Sequence, residues 1–238
     1  SWKKFCPDYE IVEWNETKIN LSALPLYVQQ AYAAQKWAFV ADYVRLYALI
    51  RYGGVYMDTD VELVAPLDRF MNQAAFAGLE DASHVATCVM ACEPEFPLFK
   101  EFLLQYSNMQ FLNPDGTLNT TTNVSRLTDI CLERGMLQNG QCQSVAGLTI
   151  YPADYFCPLA LDNRPFKTDR KHGRHSLVRR KLVEQRGKIR MENHPSPASH
   201  PSCKNGQTAG QSDRNCTISR MEFSCRNFFR FLQKAEEA

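Results

Sequence analysis

Asp58 and Asp60 follow the apolar run Val55-Tyr56-Met57 and are separated only by Thr59. Residues two apart on extended backbone face the same side, so a frayed strand end would present both carboxylates together. With no basic residue nearby they repel one another and call for a counter-cation. Hard oxygen ligands suit Mg²⁺ or Mn²⁺, ions whose coordination is usually completed by a substrate's phosphates. The pair therefore predicts a divalent cation carrying a diphosphate, with Glu62 extending the row. A calcium loop is excluded, because the sixth position from Asp58 is Leu63 rather than Gly and the twelfth is Arg69 rather than Glu. The competing reading is a solvated turn, since D-x-D arises by chance in many chains.

A second group lies upstream. Residues 37–50 are almost wholly apolar or aromatic and read as a buried helix. The charged members of that run are Asp42 and Arg45, three apart and so on one face. Charges enter a core only when paired or functional. Either they satisfy each other as a structural ion pair, or both project into a crevice. There the acid would accept from sugar hydroxyls, and the guanidinium would donate to hydroxyl or phosphate oxygens. Tyr56, two residues before Asp58, is either a core aromatic or a ring lying against the ligand.

The elements that must position these residues are legible from pattern. Residues 9–14 read as a strand and 26–36 as an Ala-rich helix that residues 37–50 continue or restart. Gly53-Gly54 closes it at a left-handed cap. Short apolar runs at 55–57, 61–64, 75–78, 85–91 and 148–151 read as strands, and 97–106 and 124–134 as helices. This alternation predicts an α/β layered fold, with ligands in the crevice at the carboxyl ends of the strands. A chain 45% hydrophobic and 22% charged is not wholly disordered, and no apolar run is long enough to span a membrane. Nine Cys without C-x-x-C spacing argue against a disulfide scaffold and a structural zinc site, and favour a reducing compartment.

The strings Ala41-Asp42-Tyr43-Val44-Arg45 and Tyr52-Gly53-Gly54-Val55-Tyr56-Met57-Asp58-Thr59-Asp60-Val61 closely resemble the sugar-binding DXD region of glycosyltransferase family 32. That family includes bacterial capsular-polysaccharide enzymes and fungal initiating mannosyltransferases, and the likeness extends more distantly to the large clostridial glucosylating toxins. The spacing of 16 residues from Asp42 to Asp58 is part of the match. Weaker likenesses at Ser1–Trp14 and from Ile150-Tyr151-Pro152 to Phe156-Cys157-Pro158 extend it to roughly residues 1–160. The resemblance implies a GT-A-like nucleotide-sugar-binding fold whose first strand lies ahead of Ser1. It implies a retaining transferase in polysaccharide or capsule synthesis. The donor would be a nucleotide-diphosphate sugar, the cation Mn²⁺ or Mg²⁺, and the acceptor a saccharide or lipid-linked. By motif position Asp42 and Arg45 would hold the donor sugar. Tyr56 and Asp58 would also contact the donor, and Asp58 and Asp60 would ligate the metal. The location implied is bacterial cytoplasm at the membrane, or the Golgi lumen in a eukaryote. Sequons at Asn15, Asn119, Asn123 and Asn215 matter only in a secretory setting.

The charge breaks near residue 162. Residues 1–162 carry 10 Lys+Arg against 19 Asp+Glu, whereas residues 163–238 carry 17 against 7. This divides the chain into a transferase domain over 1–162 and a basic tail over 163–238, out of frame or disordered. Back-translation of Asp169–Val183 with permitted codons, read one base later, spells a Thr-Glu-Asn-Thr to Ser-Trp segment. The resemblance places such a segment at this point, and a reading-frame shift near Leu161–Arg164 follows as an expectation. The basic residues share no helical face and lack interleaved aromatics before Phe223–Phe231, against nucleic-acid binding. The spacings among Cys203, Cys216 and Cys225, with His194 and His200, match no common zinc finger.

Overall fold

A computed structural model of the chain describes residues 1–157, 177–180 and 229–234. These described residues belong to one compact unit. The elements run α1 (Trp2–Phe5), β1 (Tyr9–Trp14), α2 (Leu26–Ala33), α3 (Trp37–Tyr52), β2 (Gly54–Met57) and β3 (Val61–Leu63). They continue with β4 (Ala75–Leu79), β5 (Val85–Cys92), α4 (Pro97–Gln105), α5 (Asn123–Glu133), β6 (Gln143–Val145) and β7 (Leu148–Tyr151). The last are α6 (Ala153–Phe156), β8 (Val178–Arg180) and β9 (Phe229–Lys234).

Seven strands form one sheet in the order β1-β9-β2-β5-β4-β7-β6, and β3 pairs with β8 in a second, two-stranded sheet. Among the described strands only β4 and β7 are parallel neighbours; the other pairs are antiparallel. The α/β class holds, but an antiparallel sheet has no common carboxyl edge. A site here is therefore built at the end of one strand, β2, with its neighbour β5. Helices α2 and α3 pack on one face of the sheet, in a core holding Val40, Leu46, Leu49, Tyr56 and Met90, whereas Trp2 of α1 lies in the opposite core. Val55, Met57, Cys88, Val89 and Phe156 belong to the opposite core. Cys88 and Val89 are consecutive yet share that core, as a locally irregular strand requires, and the β4–β5 register shifts between Ala77 and Leu79.

Local sequence explains the boundaries. Gln35 adopts φ 57°, which ends the helix expected over residues 26–36 and lets a separate one start at Trp37. Pro97 occupies the first turn of α4, where its missing N–H is harmless. The Thr122 side chain caps α5 by accepting from Ser125 N at 3.2 Å. Val40, Leu46 and Leu49 are fully buried, each contributing about 1.5–3 kcal/mol relative to exposure. Strand β6 and the four-residue helices α1 and α6 were not expected, being too short to show a period. Of the basic block 163–238, residues 177–180 and 229–234 are described. The expectations of disorder, frame shift, zinc and nucleic-acid binding otherwise lie outside the described residues. Among those described, no helix is long and apolar enough to cross a membrane.

Gly53 turns the chain from α3 into β2 with φ 64° and ψ −170°, a conformation essentially reserved for glycine. A Cβ there would meet Pro94 Cδ at 2.6 Å. Gly53→Ala is expected to destabilise the fold by about 2 kcal/mol or more. Urea unfolding checks this: an unshifted midpoint would mean that the turn can relax.

Candidate functional site

Arg45 is the hub. It sits in the middle of α3 with its side chain 8% exposed, and its Nη2 meets Asp42 Oδ1 at 2.8 Å. Nη1 donates to Thr87 O at 2.7 Å and lies 3.2 Å from Thr87 Oγ1. The same nitrogen stands 3.6 Å from Asp58 Oδ1. The guanidinium lies over the Tyr56 ring at 4.5 Å from its centroid, a cation–π placement. One cation thus joins a helix, β2 and β5.

The strand places the acids in two different ways. Tyr56 and Asp58 are the pair that obeys two-residue alternation: the Tyr56 hydroxyl donates to Asp58 Oδ1 at 2.5 Å. Asp58 N donates to Cys88 O at 2.9 Å, extending the β2–β5 ladder one residue past the strand. Strand geometry then stops, because Thr59 and Asp60 form a turn closed by Val61 N donating to Asp58 O at 3.0 Å. Asp58 and Asp60 are both half-buried. The Trp2 indole donates to Val61 O at 2.9 Å and fastens the exit of this turn. Glu62 lies on β3 opposite Arg179 in the register.

The electrostatics of the cluster oppose one another. Burial pushes the Asp42 carboxyl above its ordinary value, while Arg45 pulls it back and Asp58 adds to the rise. Burial also works against the Arg45 charge, but Tyr56, Asp42 and Asp58 outweigh it and keep the guanidinium firmly protonated. Burial holds the Tyr56 phenol well above its ordinary value, so the group stays a donor toward Asp58.

All five residues singled out by sequence therefore fall at the end of β2 or beside it. Asp42, Arg45, Tyr56 and Asp58 are linked through the guanidinium, and Asp60 follows on the turn. The Tyr56 ring is 1% exposed, so it reaches the cluster through its hydroxyl and its face toward Arg45. The ion pair forms, and the Asp42 side chain keeps 15% exposure while bound to Arg45.

Sequence reading missed the supports. Thr87 offers a faint signal as the sole polar side chain in the apolar strand Val85–Cys92. Asn123 is 1% exposed. Its Nδ2 donates to Asp42 O at 2.8 Å, and its Oδ1 accepts from the Tyr106 hydroxyl. A sequon asparagine so committed cannot carry a glycan in the folded chain. Asn119, partly buried, accepts from Arg126 Nη2, and Asn15 accepts from Thr17; Asn215 lies outside the described residues. Asn123→Ala strands two buried polar partners and is expected to lower stability by about 2 kcal/mol. Equilibrium unfolding should show it; a change below about 0.5 kcal/mol would mean that water replaces the amide.

The donor set fits a hard divalent cation held by a carboxylate pair. Among the described residues no group of three Asp, Glu, His or Cys side chains forms a metal cage. A cation at Asp58 and Asp60 would then take its remaining ligands from phosphate and water, the usual habit of Mg²⁺.

Comparison with known families bears on this geometry. Residues 1–77 match the family described as the glycosyltransferase sugar-binding region containing the DXD motif. The matched span contains Asp42, Arg45, Tyr56, Asp58 and Asp60 and supports a glycosyltransferase, with a nucleotide-sugar donor and an acceptor as substrates. Domains of that kind generally bind a divalent metal. No curated protein and no solved structure matches the chain.

Proposed function

We propose that the protein is a metal-dependent, retaining glycosyltransferase of the family 32 type. It would move a hexose from a nucleotide-diphosphate sugar to a saccharide or lipid-linked acceptor during polysaccharide synthesis at a membrane surface. The observation that carries this reading is the Asp42–Arg45–Asp58 cluster at the end of β2, with Asp60 on the following turn. Mg²⁺ or Mn²⁺, held by Asp58 and Asp60, would neutralise charge on the departing diphosphate. The chain's own residues bind and orient. Asp42 accepts from hydroxyls of the donor sugar. Arg45, immobilised by Thr87 and Asp42, presents a fixed positive charge beside the sugar–phosphate junction. Tyr56 keeps Asp58 aimed by hydrogen bonding. With the carboxylates of the cluster assigned to binding, retention would come from attack by the acceptor on the donor's own face.

The test is hydrolysis of a panel of UDP- and GDP-sugars with and without Mn²⁺. Metal-dependent turnover of one donor supports the proposal. The charge break and the frame-shift expectation favour a second reading, a remnant that binds without turnover. A version corrected in frame separates the two, because activity confined to it would identify this chain as the remnant. Inactivity of both, with salt-sensitive binding of nucleic acid instead, would overturn the proposal.

A further inference from the structure

Two thiols adjoin the cluster from the other face of the sheet. Cys88 lies on β5 and Cys157 is the residue that closes α6. Their sulfurs are 3.9 Å apart, and each residue is 2% exposed. Cys88 Sγ also approaches Phe156 O at 3.7 Å, so the thiol is aimed at the chain leaving α6. Closing a disulfide requires the sulfurs to move together by roughly 2 Å, within reach of small side-chain rotations. Cys6 shares this core, Cys92 and Cys131 occupy the opposite one, and Cys142 is exposed.

We propose that Cys88 and Cys157 are a disulfide-forming pair, an oxidisable site that ties the segment after α6 to the β5 residue holding the Asp58 backbone. The carbonyl of Cys88 accepts from Asp58 N, and the preceding residue, Thr87, holds Arg45. The cross-link therefore fastens the one stretch of β5 on which both halves of the cluster lean.

The chemistry balances with a peroxide as oxidant. One cysteine sulfur, as thiolate, attacks the O–O bond; it becomes a sulfenic acid and the first water departs. The second sulfur attacks the first, the S–S bond forms, and the sulfenic oxygen leaves as water. Two electrons and the two thiol protons pass to the peroxide, which ends as two waters. A dithiol reductant reverses the linkage by exchange. Burial means that the oxidant enters during local opening.

The experiment treats the full chain with dilute hydrogen peroxide under native conditions. Remaining thiols are then alkylated in denaturant and the unreduced digest is mapped by mass spectrometry. The expected result is a peptide pair joined through Cys88 and Cys157, with two fewer alkylated cysteines. Because a long loop is closed, the melting temperature should rise by roughly 5 °C and fall back on adding dithiothreitol. Cys88→Ser and Cys157→Ala should each remove the linkage and the shift, whereas Cys6→Ser should keep both. The wild-type map decides the matter even if a variant folds poorly. Two alkylatable thiols after oxidation, unlinked sulfinic acids, or a linkage of either sulfur to Cys6 would overturn the proposal.

Discussion

Asp60→Asn is expected to lower metal-dependent turnover of the donor sugar by at least about 100-fold while leaving the fold intact. The replacement keeps the shape of the side chain and removes its charge. Asp60 is half-buried on a turn rather than in a core, so the unfolding midpoint should move by less than about 0.5 kcal/mol. Mn²⁺ affinity, followed by electron paramagnetic resonance, should weaken in parallel with turnover. Asp58→Asn differs: its oxygen accepts from Tyr56 and faces Arg45, so that variant should lose stability as well as activity. Unchanged turnover in Asp60→Asn would remove this carboxylate from the site.

Arg45→Met carries the largest expected effect on stability, a loss of about 3–5 kcal/mol. The thioether fills part of the volume, but Asp42 keeps a desolvated carboxylate without its cation and Thr87 O loses its donor. The pH dependence identifies the cause. Burial already raises the Asp42 carboxyl, and Arg45 pulls it down. Without that pull the folded value climbs further above the unfolded one. For a group so raised, the favourable contribution is complete below the unfolded value and is lost as pH rises through the folded value. The deficit of Arg45→Met should therefore shrink as pH falls from neutral toward the ordinary carboxylate value of about 3.9 and Asp42 takes up a proton. Urea titrations across that window measure it. A deficit independent of pH would assign the loss to packing alone.

The residues of the cluster were legible because their types are rare in their settings. An acid and an arginine inside an apolar helix, and two acids after an apolar strand, stand out from hydrophobic pattern alone. The boundaries of β2, β5 and α5 were legible for the same reason, with Gly53 and the run Val85–Cys92 as local signals. The supports were not. Thr87 acts mainly through its carbonyl, which every residue possesses, and Asn123 reads as a helix start or a sequon until its amide is seen on Asp42. The sheet's antiparallel order was hidden as well, since strand direction depends on pairings remote in sequence. The sequence left open whether the helix continues or restarts after residue 36, because high-propensity residues surround the break at Gln35.

Strand β9 lies between β1 and β2, which bond to it and not to each other. Strand β1 can therefore complete this pairing only when a segment translated far later reaches it. On the ribosome Tyr9–Trp14 must wait with its backbone groups turned to water, exposed to chaperones and to neighbouring nascent chains. Synthesis halted before Phe229 leaves the β1 and β2 edges without this partner and open to intermolecular pairing. Delayed closure of this kind makes maturation of the polypeptide sensitive to translation rate and to clipping near Phe229–Lys234.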